Sequence, residues 1–573
     1  MNDIRRSILW VVFGLSMILL WDRWQVHNGN QPTFFPGSLS GQTQTAAKAA
    51  GTDTTPAAVP GALPQATPAA GAASVPGSAP AVTVPATRHE VTTDVFHLVF
   101  NSEGGSLVGT QLLRHAEATH ASKDQTARPF TLLTQDETHT YVAQSGLIGG
   151  GFPTHKTPMH LVDGPLALAD GQDELKVRFE SDPVGGVVLA KTYTLRRGHY
   201  DMAVEHEVLN QGAQPVSPQL YVQLVRDGGK VENETPFYST FTGPAVYTEA
   251  QKYQKVKFED VDKNKASFET TATNGYVAMV QHYFATAWML GEGVARENFV
   301  RRVDSSLYAA GAITTLPAIA PGERQVVKAT LFAGPQEEKV LETITPGLEL
   351  VKDYGWLTIL AKPLYWLLEK IHSFVGNWGW SIVLLVVLIK ACFYWLNASA
   401  YRSMAKMKKI NPRIMEMRER LKSNPQAMQQ EMMKMYREEK VNPLGGCFPI
   451  VIQIPVFIAL YWVLLSSVEM RNAPWTGWIT DLSSPDPWYI LPLVMAMTTV
   501  IQTALNPLPP DPMQAKMMWF MPIAFSVMFF FFPAGLVMYW ITNNILTITQ
   551  QAYINKTLGV PLKITNPLEL FRK

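Results

Sequence analysis

The apolar positions of this chain fall into two regimes. From about residue 88 to 345 they alternate with polar ones. Tyr200, Met202, Val204, His206 and Val208 interleave with Asp201, Ala203, Glu205, Glu207 and Leu209, and Leu220, Val222 and Leu224 repeat the pattern. A period of two marks half-buried strands. Gly104-Gly105, Gly185-Gly186, Arg197-Gly198 and Asp227-Gly228-Gly229 punctuate the runs as turns. Many short strands separated by turns predict a large all-β sandwich over residues 88–345. Further on, the chain holds five apolar runs, near 379–397, 447–468, 488–505, 516–532 and 534–553. Several approach the roughly 20 residues that a bilayer-spanning helix needs.

Four other segments complete the plan. Residues 1–24 place Arg5 and Arg6 before a short apolar run flanked by Trp10, Trp21 and Trp24. No small-x-small cleavage site follows directly, so this segment reads as an uncleaved signal anchor in preference to a cleaved signal. Residues 25–87 form a linker. From residue 37 it is Ala, Pro, Gly, Ser and Thr with almost no charge or aromatic, too polar and too small-chained to bury a core. Residues 353–375 set Trp356, Ile359, Leu360, Leu364, Leu367, Leu368 and Ile371 at helical spacing, with Lys362, Glu369 and Lys370 between them. Such a helix lies on the periplasmic membrane surface or packs on the β-domain, and the first reading is preferred. Residues 399–440 predict a helical hairpin, 399–422 and 426–440, broken at Ser423-Asn424-Pro425. Pro425 suits the first turn of the second helix, and Asn411-Pro412 predicts a kink in the first.

Charge orients these pieces. The net charge is +1 and the mean hydropathy +0.02, but both average over unlike halves. Residues 88–350 carry 32 acidic and 23 basic side chains, whereas residues 397–445 carry 11 basic and 5 acidic. The acidic bulk gives no hint of nucleic-acid binding. The basic loop after the second apolar run holds Arg402, Lys406, Lys408, Lys409, Arg413, Arg418, Arg420 and Lys422, and the tail at 556–573 is also basic. The loop 469–487 is not. Positive charge collects on the cytoplasmic side, so the pattern predicts six spans with both termini inside and the β-domain outside. The only cysteines, Cys392 and Cys447, lie in or beside apolar runs, so no disulfide stabilises the β-domain.

Polar residues within the apolar runs are the candidate chemistry. Lys390 sits in SIVLLVVLIKACFYWLNASAY, about 9 Å from the cytoplasmic end of its run. A charge inside a bilayer costs about 2.5–3.5 kcal/mol or more and marks function by default. At helical spacing Lys390, Tyr394, Asn397 and Tyr401 form one polar stripe. Thr499, Gln502 and Asn506 form a second, and Trp540, Asn544, Thr547 and Gln551 a third. All three lie toward the cytoplasmic ends, while the other halves are nearly pure apolar. This predicts a groove open to the cytoplasm and closed on the far side. The alternative is that Lys390 snorkels to headgroups and the amides bond helix to helix. In the hairpin, Met404, Met407, Met432 and Met435, among other methionines, offer an adaptable client surface or hold the hairpin together. Catalytic motifs are lacking: no H-E-x-x-H, G-x-S-x-G or P-loop lysine is present, and Ser381 lies about 13 Å along the helix from Lys390.

Specific segments resemble a known family. DYGWLTILAKPLYWLLEKIHSFVGNWGWSI (353–382), EKVNPLGGCFPIVIQIPVFIALY (439–461), DPMQAKMMWFMP (511–522) and FPAGLVMYWITNN (532–544) are similar to the YidC membrane-protein insertases of Gram-negative bacteria, as is NGYVAMVQHYFATAW (274–288) in the β-domain. The resemblance implies a polytopic α-helical membrane protein with six transmembrane helices. Five of them form an insertase core at 379–555, joined to an all-β periplasmic super-sandwich of the sugar-mutarotase type. It implies an inner-membrane insertase and chaperone, not an enzyme, without cofactor or metal. Its clients are nascent membrane proteins, and it acts alone or with the Sec translocon, in contact with the bilayer and with ribosome or signal-recognition machinery. The family usually carries arginine where this chain has Lys390, which keeps the charge but loses the planar donor fork. Trp540 fits the aromatic that faces the family's groove. Two other function classes were weighed. A small-solute transporter or channel needs polarity reaching the far side and an internal repeat of spans. A periplasmic sugar enzyme needs a histidine–carboxylate pair in a cleft, which His206 with Glu205 or Glu207 is too generic to supply.

Overall fold

A computed structural model describes residues 87–117, 128–229, 240–421, 424–439, 448–506 and 512–559. The expected signal anchor, nearly all of the linker and most of the basic tail lie outside the described residues. The chain divides into two compact units, one holding the strands and ending at Asp353, the other running from Tyr354.

The first unit contains two nine-stranded sheets in which every ladder is antiparallel. Alternation places the side chains of strand Asp201–Asn210 as the sequence expects. It buries Met202, Val204, His206 and Val208, whereas strand Gln219–Asp227, in the middle of its sheet, departs from the expected alternation and buries every residue from Leu220 to Arg226. Left-handed glycines turn the corners, Gly198 with φ +74° and Gly104 with φ +70°. At Gly104 any Cβ would lie 2.3 Å from the His155 carbonyl oxygen, so no larger residue fits. Two short helices, α1 (Phe258–Asp262) and α2 (Glu338–Ile344), complete this unit.

A line of buried polar groups bonds one sheet to the other. Lys191 is fully buried, and its Nζ donates to Gly104 O at 2.6 Å and Ser145 O at 2.7 Å. His206 Nε2 lies 2.9 Å from Ser145 Oγ. Trp288 Nε1 donates to Gln223 O, and the Tyr141 hydroxyl meets Thr286 Oγ1. Burial without a carboxylate partner pushes Lys191 down to about 7. Burial, then the charge of Lys191, pushes His206 and His155 down to about 3.

The second unit is helical: α3 (Thr358–Val375), α4 (Trp378–Cys392), α5 (Tyr394–Arg420), α6 (Pro425–Glu438), α7 (Phe448–Ser466), α8 (Ile490–Leu505), α9 (Pro512–Met528) and α10 (Ala534–Thr557). Its core joins Ala361 and Leu368 of α3, Leu385 and Val386 of α4, Ala459 and Val463 of α7, Met495 of α8 and Val537 of α10. Helix α3 packs within this unit through Ala361, Tyr365 and Leu368, and the Tyr365 hydroxyl donates to Glu469 at 2.5 Å. Its opposite side leaves Ile359, Trp366 and Phe374 exposed. The loop before α8 is built on Asp486, which accepts from Leu491 N, Trp488 N and Trp478 Nε1. Asn377 caps α4 and holds the Pro474 and Trp475 carbonyls. Gly379 lets the Trp475 ring approach, since a Cβ there would lie 2.4 Å away.

Among the described residues no single helix is both long and apolar enough to cross a membrane. The bent pair Trp378–Cys392 and Tyr394–Met407 meets that test jointly, with 68° between its halves. The expected continuous run 379–397 is therefore broken at Phe393, and the polar stripe from Lys390 to Tyr401 turns a corner. Neither proline nor glycine occupies the bend, and nothing in the structure explains it. The hairpin's first helix begins at Tyr394 and continues through Pro412. Asn424 caps the second, with Pro425 in its first turn.

The buried cations make a pH prediction for the sheets. A lysine whose folded pKa is about 7 against 10.5 binds fewer protons folded than unfolded between those values, so stability rises with pH there. The histidines do the same between about 3 and 6.5. Each proton contributes a slope of at most about 1.4 kcal/mol per pH unit. Urea midpoints, read from the fluorine resonance of fluorotryptophan at position 288, are expected to climb through both windows. Lys191→Met flattens the upper limb and His206→Gln the lower. Unchanged slopes in both variants would contradict this account.

Candidate functional site

Helix α10 organises the polar residues of the helical unit. Its first turns are apolar and buried: Leu536, Val537, Met538 and Tyr539. Beyond them Asn544, Thr547, Gln551 and Asn555 recur at spacings of three and four, which puts them on one face, and all four are buried. Asn544 Nδ2 donates to Thr498 Oγ1 at 3.1 Å and Thr499 Oγ1 at 3.0 Å, both on α8. One turn and more along, Gln551 Nε2 donates to Leu505 O and Asn506 Oδ1. These bonds fasten α10 to α8. Higher up, Gln453 of α7 donates to the Tyr539 hydroxyl at 3.1 Å.

Lys390 enters the same network from α4. Its Nζ donates to Thr547 Oγ1 at 3.0 Å, and Tyr401 of α5 lies beside the same threonine. No carboxylate pairs with Lys390 among the described residues. The ammonium is half-buried and meets only a neutral hydroxyl. Lower on α5, Lys409 Nζ donates to Leu558 O at the end of α10, where the helix leaves its last carbonyls unanswered.

The other expected groove residues distribute unevenly. Asn397 is buried, and its Nδ2 has no partner among the described residues. Tyr394 is 40 % exposed and Gln502 half-buried, and neither is bonded to Lys390. Trp540 packs against aromatic rings, edge-on to Phe457 of α7 with centroids 4.7 Å apart and tilted against Phe529 at 5.2 Å. Thus Lys390 and Asn544 join one network through α10, while Trp540 marks an aromatic cluster between α7 and the end of α9. The Thr498, Tyr539, Phe457 and Phe529 partners were not singled out from the sequence. Apolar and aromatic positions inside a fully apolar run carry no periodic signal of which helix they face.

The hairpin has its own small core. Ile410, Ile414 and Met417 are buried, with Met407, Met428, Met432, Met435 and Tyr436 packed against them. Arg413–Glu439 at 3.0 Å and Arg420–Glu431 at 2.7 Å tie the two helices. Of the methionines expected to meet clients, Met407, Met432 and Met435 therefore sit half-buried in the hairpin, as does Met404 beside it. The exposed ones are Met415 and Met433. The row Ile410, Ile414, Met417 gives the inner face at a spacing of four and three. Met415 falls opposite it, a signal that was available in the sequence.

The comparisons with known proteins match the chain in two parts, the first of which runs beyond Asp353 into α3. The YidC periplasmic domain model matches residues 88–367, and the 60Kd inner membrane protein model matches residues 370–560. The membrane protein insertase YidC of Ralstonia nicotianae is 55% identical over 564 residues, covering 98% of this chain and 99% of that protein. The same-named protein of Cupriavidus taiwanensis is 54% identical over 97% of this chain and 98% of its own length. A crystal structure of an active YidC insertase matches 81% of this chain and 92% of its own at 18% identity, with a TM-score of 0.36. The chain therefore belongs to the YidC family of membrane protein insertases, with a β-rich periplasmic domain followed by an inner-membrane helical region.

Proposed function

We propose that this insertase lowers the cost of moving a client's polar tail part-way across the membrane by offering it the partners gathered around Lys390. The observation that carries the reading is the pairing of the Lys390 ammonium with a neutral hydroxyl alone. A cation in a low-dielectric site without a counter-charge attracts an incoming carboxylate strongly. The unpartnered Asn397 Nδ2 and exposed Tyr394, within two turns of Lys390 along the chain, supply further hydrogen-bonding capacity, and half-buried Gln502 adds to it from α8. Unsatisfied polar groups in hydrocarbon cost several kcal/mol each, so such partners decide whether a tail enters. Trp540 with Phe457 and Phe529 offers an apolar wall along which the client's hydrophobic segment leaves into lipid. Burying that segment supplies about 25 cal/mol per Å² of apolar surface.

In this reading the chain has six spans, an anchor at 1–24 and five from 379 to 555, with both termini in the cytoplasm. The polar halves of α8 and α10 face the cytoplasm, and α3 lies at the periplasmic interface with Ile359, Trp366 and Phe374 toward lipid. The hairpin 399–440 receives clients or their delivery machinery, whether ribosome or signal-recognition particle. The Sec translocon is a partner for clients too large for the groove. Nascent membrane proteins are the substrates in both cases.

Lys390 variants test the groove. Lys390→Arg retains insertion. Lys390→Ala lowers insertion of clients with acidic translocated tails by about tenfold, the equivalent of one charge-assisted contact, and Lys390→Glu lowers it further. Clients with neutral tails lose less. Equal loss for both client types in reconstituted vesicles would contradict the charge role.

The hairpin is tested at its exposed positions. Met415→Ser with Met433→Ser leaves the hairpin core intact and is expected to weaken crosslinking of stalled clients to the hairpin. Unchanged crosslinking, together with normal insertion after deletion of residues 405–436, would reduce the hairpin to a topogenic charge cluster.

A further inference from the structure

The polar face of α10 places one residue in a position that none of the others shares. Asn544 and Gln551 point their amides at α8, but Thr547, between them on the same buried face, meets Lys390 of α4, with Tyr401 of α5 beside it. Thr547 is buried, and the two α8 bonds that flank it fix its height and rotation. The bend at Phe393 lets Lys390 and Tyr401, on two helices 68° apart, reach one hydroxyl. A hydroxyl can accept from the ammonium and still donate to the phenol oxygen, so one small side chain satisfies both neighbours.

We propose that Thr547 sets the client selectivity of the groove, by acting as a resting partner for Lys390 that a client carboxylate displaces. Resting on the groove reading above, this adds the element that decides how available the charge is. Thr547 is strong enough an acceptor to hold the ammonium in place. Being neutral, it is weak enough to be exchanged for a carboxylate, because charge-assisted pairs are roughly twice as strong as bonds to neutral acceptors. A carboxylate at this position would close the site from within. An apolar residue of the same shape would leave the lysine unpartnered until the client arrives. When Thr547 is released, its hydroxyl has the Tyr401 phenol beside it to turn to, so exchange need leave no buried group unsatisfied.

The experiment compares two clients in vesicles with the full-length protein, one with an acidic translocated tail and one with a neutral tail of the same length. Its readout is the ratio of their insertion efficiencies. Thr547→Asp, which places a carboxylate against Lys390, is expected to lower the ratio about tenfold, and Thr547→Val to raise it above wild type. Thr547→Ser restores the wild-type ratio. Where Thr547→Asp fails to accumulate, the valine and serine pair decides alone. A ratio in Thr547→Val equal to or below wild type overturns the proposal. So does a ratio unchanged in Thr547→Asp while Lys390→Ala still lowers it, a result that leaves the groove standing and removes Thr547 from it. If Lys390→Ala leaves the ratio unchanged, the groove reading itself falls.

Discussion

A bilayer contains no water to answer a buried amide or hydroxyl, so each polar group that this protein places among its apolar helices must be answered by another helix. Helix α10 is where the constraint is met. Asn544 and Gln551 are answered by α8, Thr547 by α4 and α5, and Tyr539 by α7. The helix is thereby fixed against its neighbours, and its position in turn fixes Lys390. Interhelical bonds of this kind contribute only about 0.6 kcal/mol each in membranes, so their role is to set geometry more than stability. In the proposed groove these bonds form the back wall. The groups left incompletely answered, Lys390 and Asn397, are then available to something else.

The same network qualifies the simplest version of the groove. A reading in which every polar residue of the three stripes faces a common space does not describe this molecule. Asn544, Thr547 and Gln551 are consumed by helix-to-helix bonds, as the more conservative alternative holds for amides in membranes. Lys390 does not follow that alternative, because its ammonium turns inward to α10. The polar stripes thus divide into a part bonded between α8 and α10, at Thr498, Thr499, Asn544 and Gln551, and a remainder, Lys390, Tyr394, Asn397 and Gln502, that those bonds do not occupy.

Periodicity made the strands legible: alternation at Met202, Val204, His206 and Val208 is also the alternation of burial. It placed His206 on the inward face but did not reveal that Lys191 points between the sheets too, because a titratable residue at an inward position reads like an exposed one until its partners across the sandwich are known. The helical runs were legible by composition, and their ends fell close to the expected ones where Asn377, Asn424 and Pro425 cap them. The break at Phe393 was not legible, since no helix breaker marks it. The residues facing one another across α10 were partly so. Thr547 and Thr499 stood out as polar in apolar runs, but which bonded to which depends on the rotation of whole helices, and that is set by apolar packing with no periodic signature. In the hairpin, rotation was encoded by Ile410, Ile414 and Met417, and it moves the exposed methionines to Met415 and Met433.

In the proposed groove, water reaches Lys390 from the cytoplasmic side while α10 seals the space behind it. Single cysteines at positions 390, 502, 544 and 388, in a protein lacking Cys392 and Cys447, are labelled with a membrane-impermeant thiol reagent added from that side. The account predicts rapid labelling at 390 and 502, and slow labelling at buried 544 and at 388, which is exposed but placed toward lipid. Labelling at 390 and 502 no faster than at 388 would contradict it.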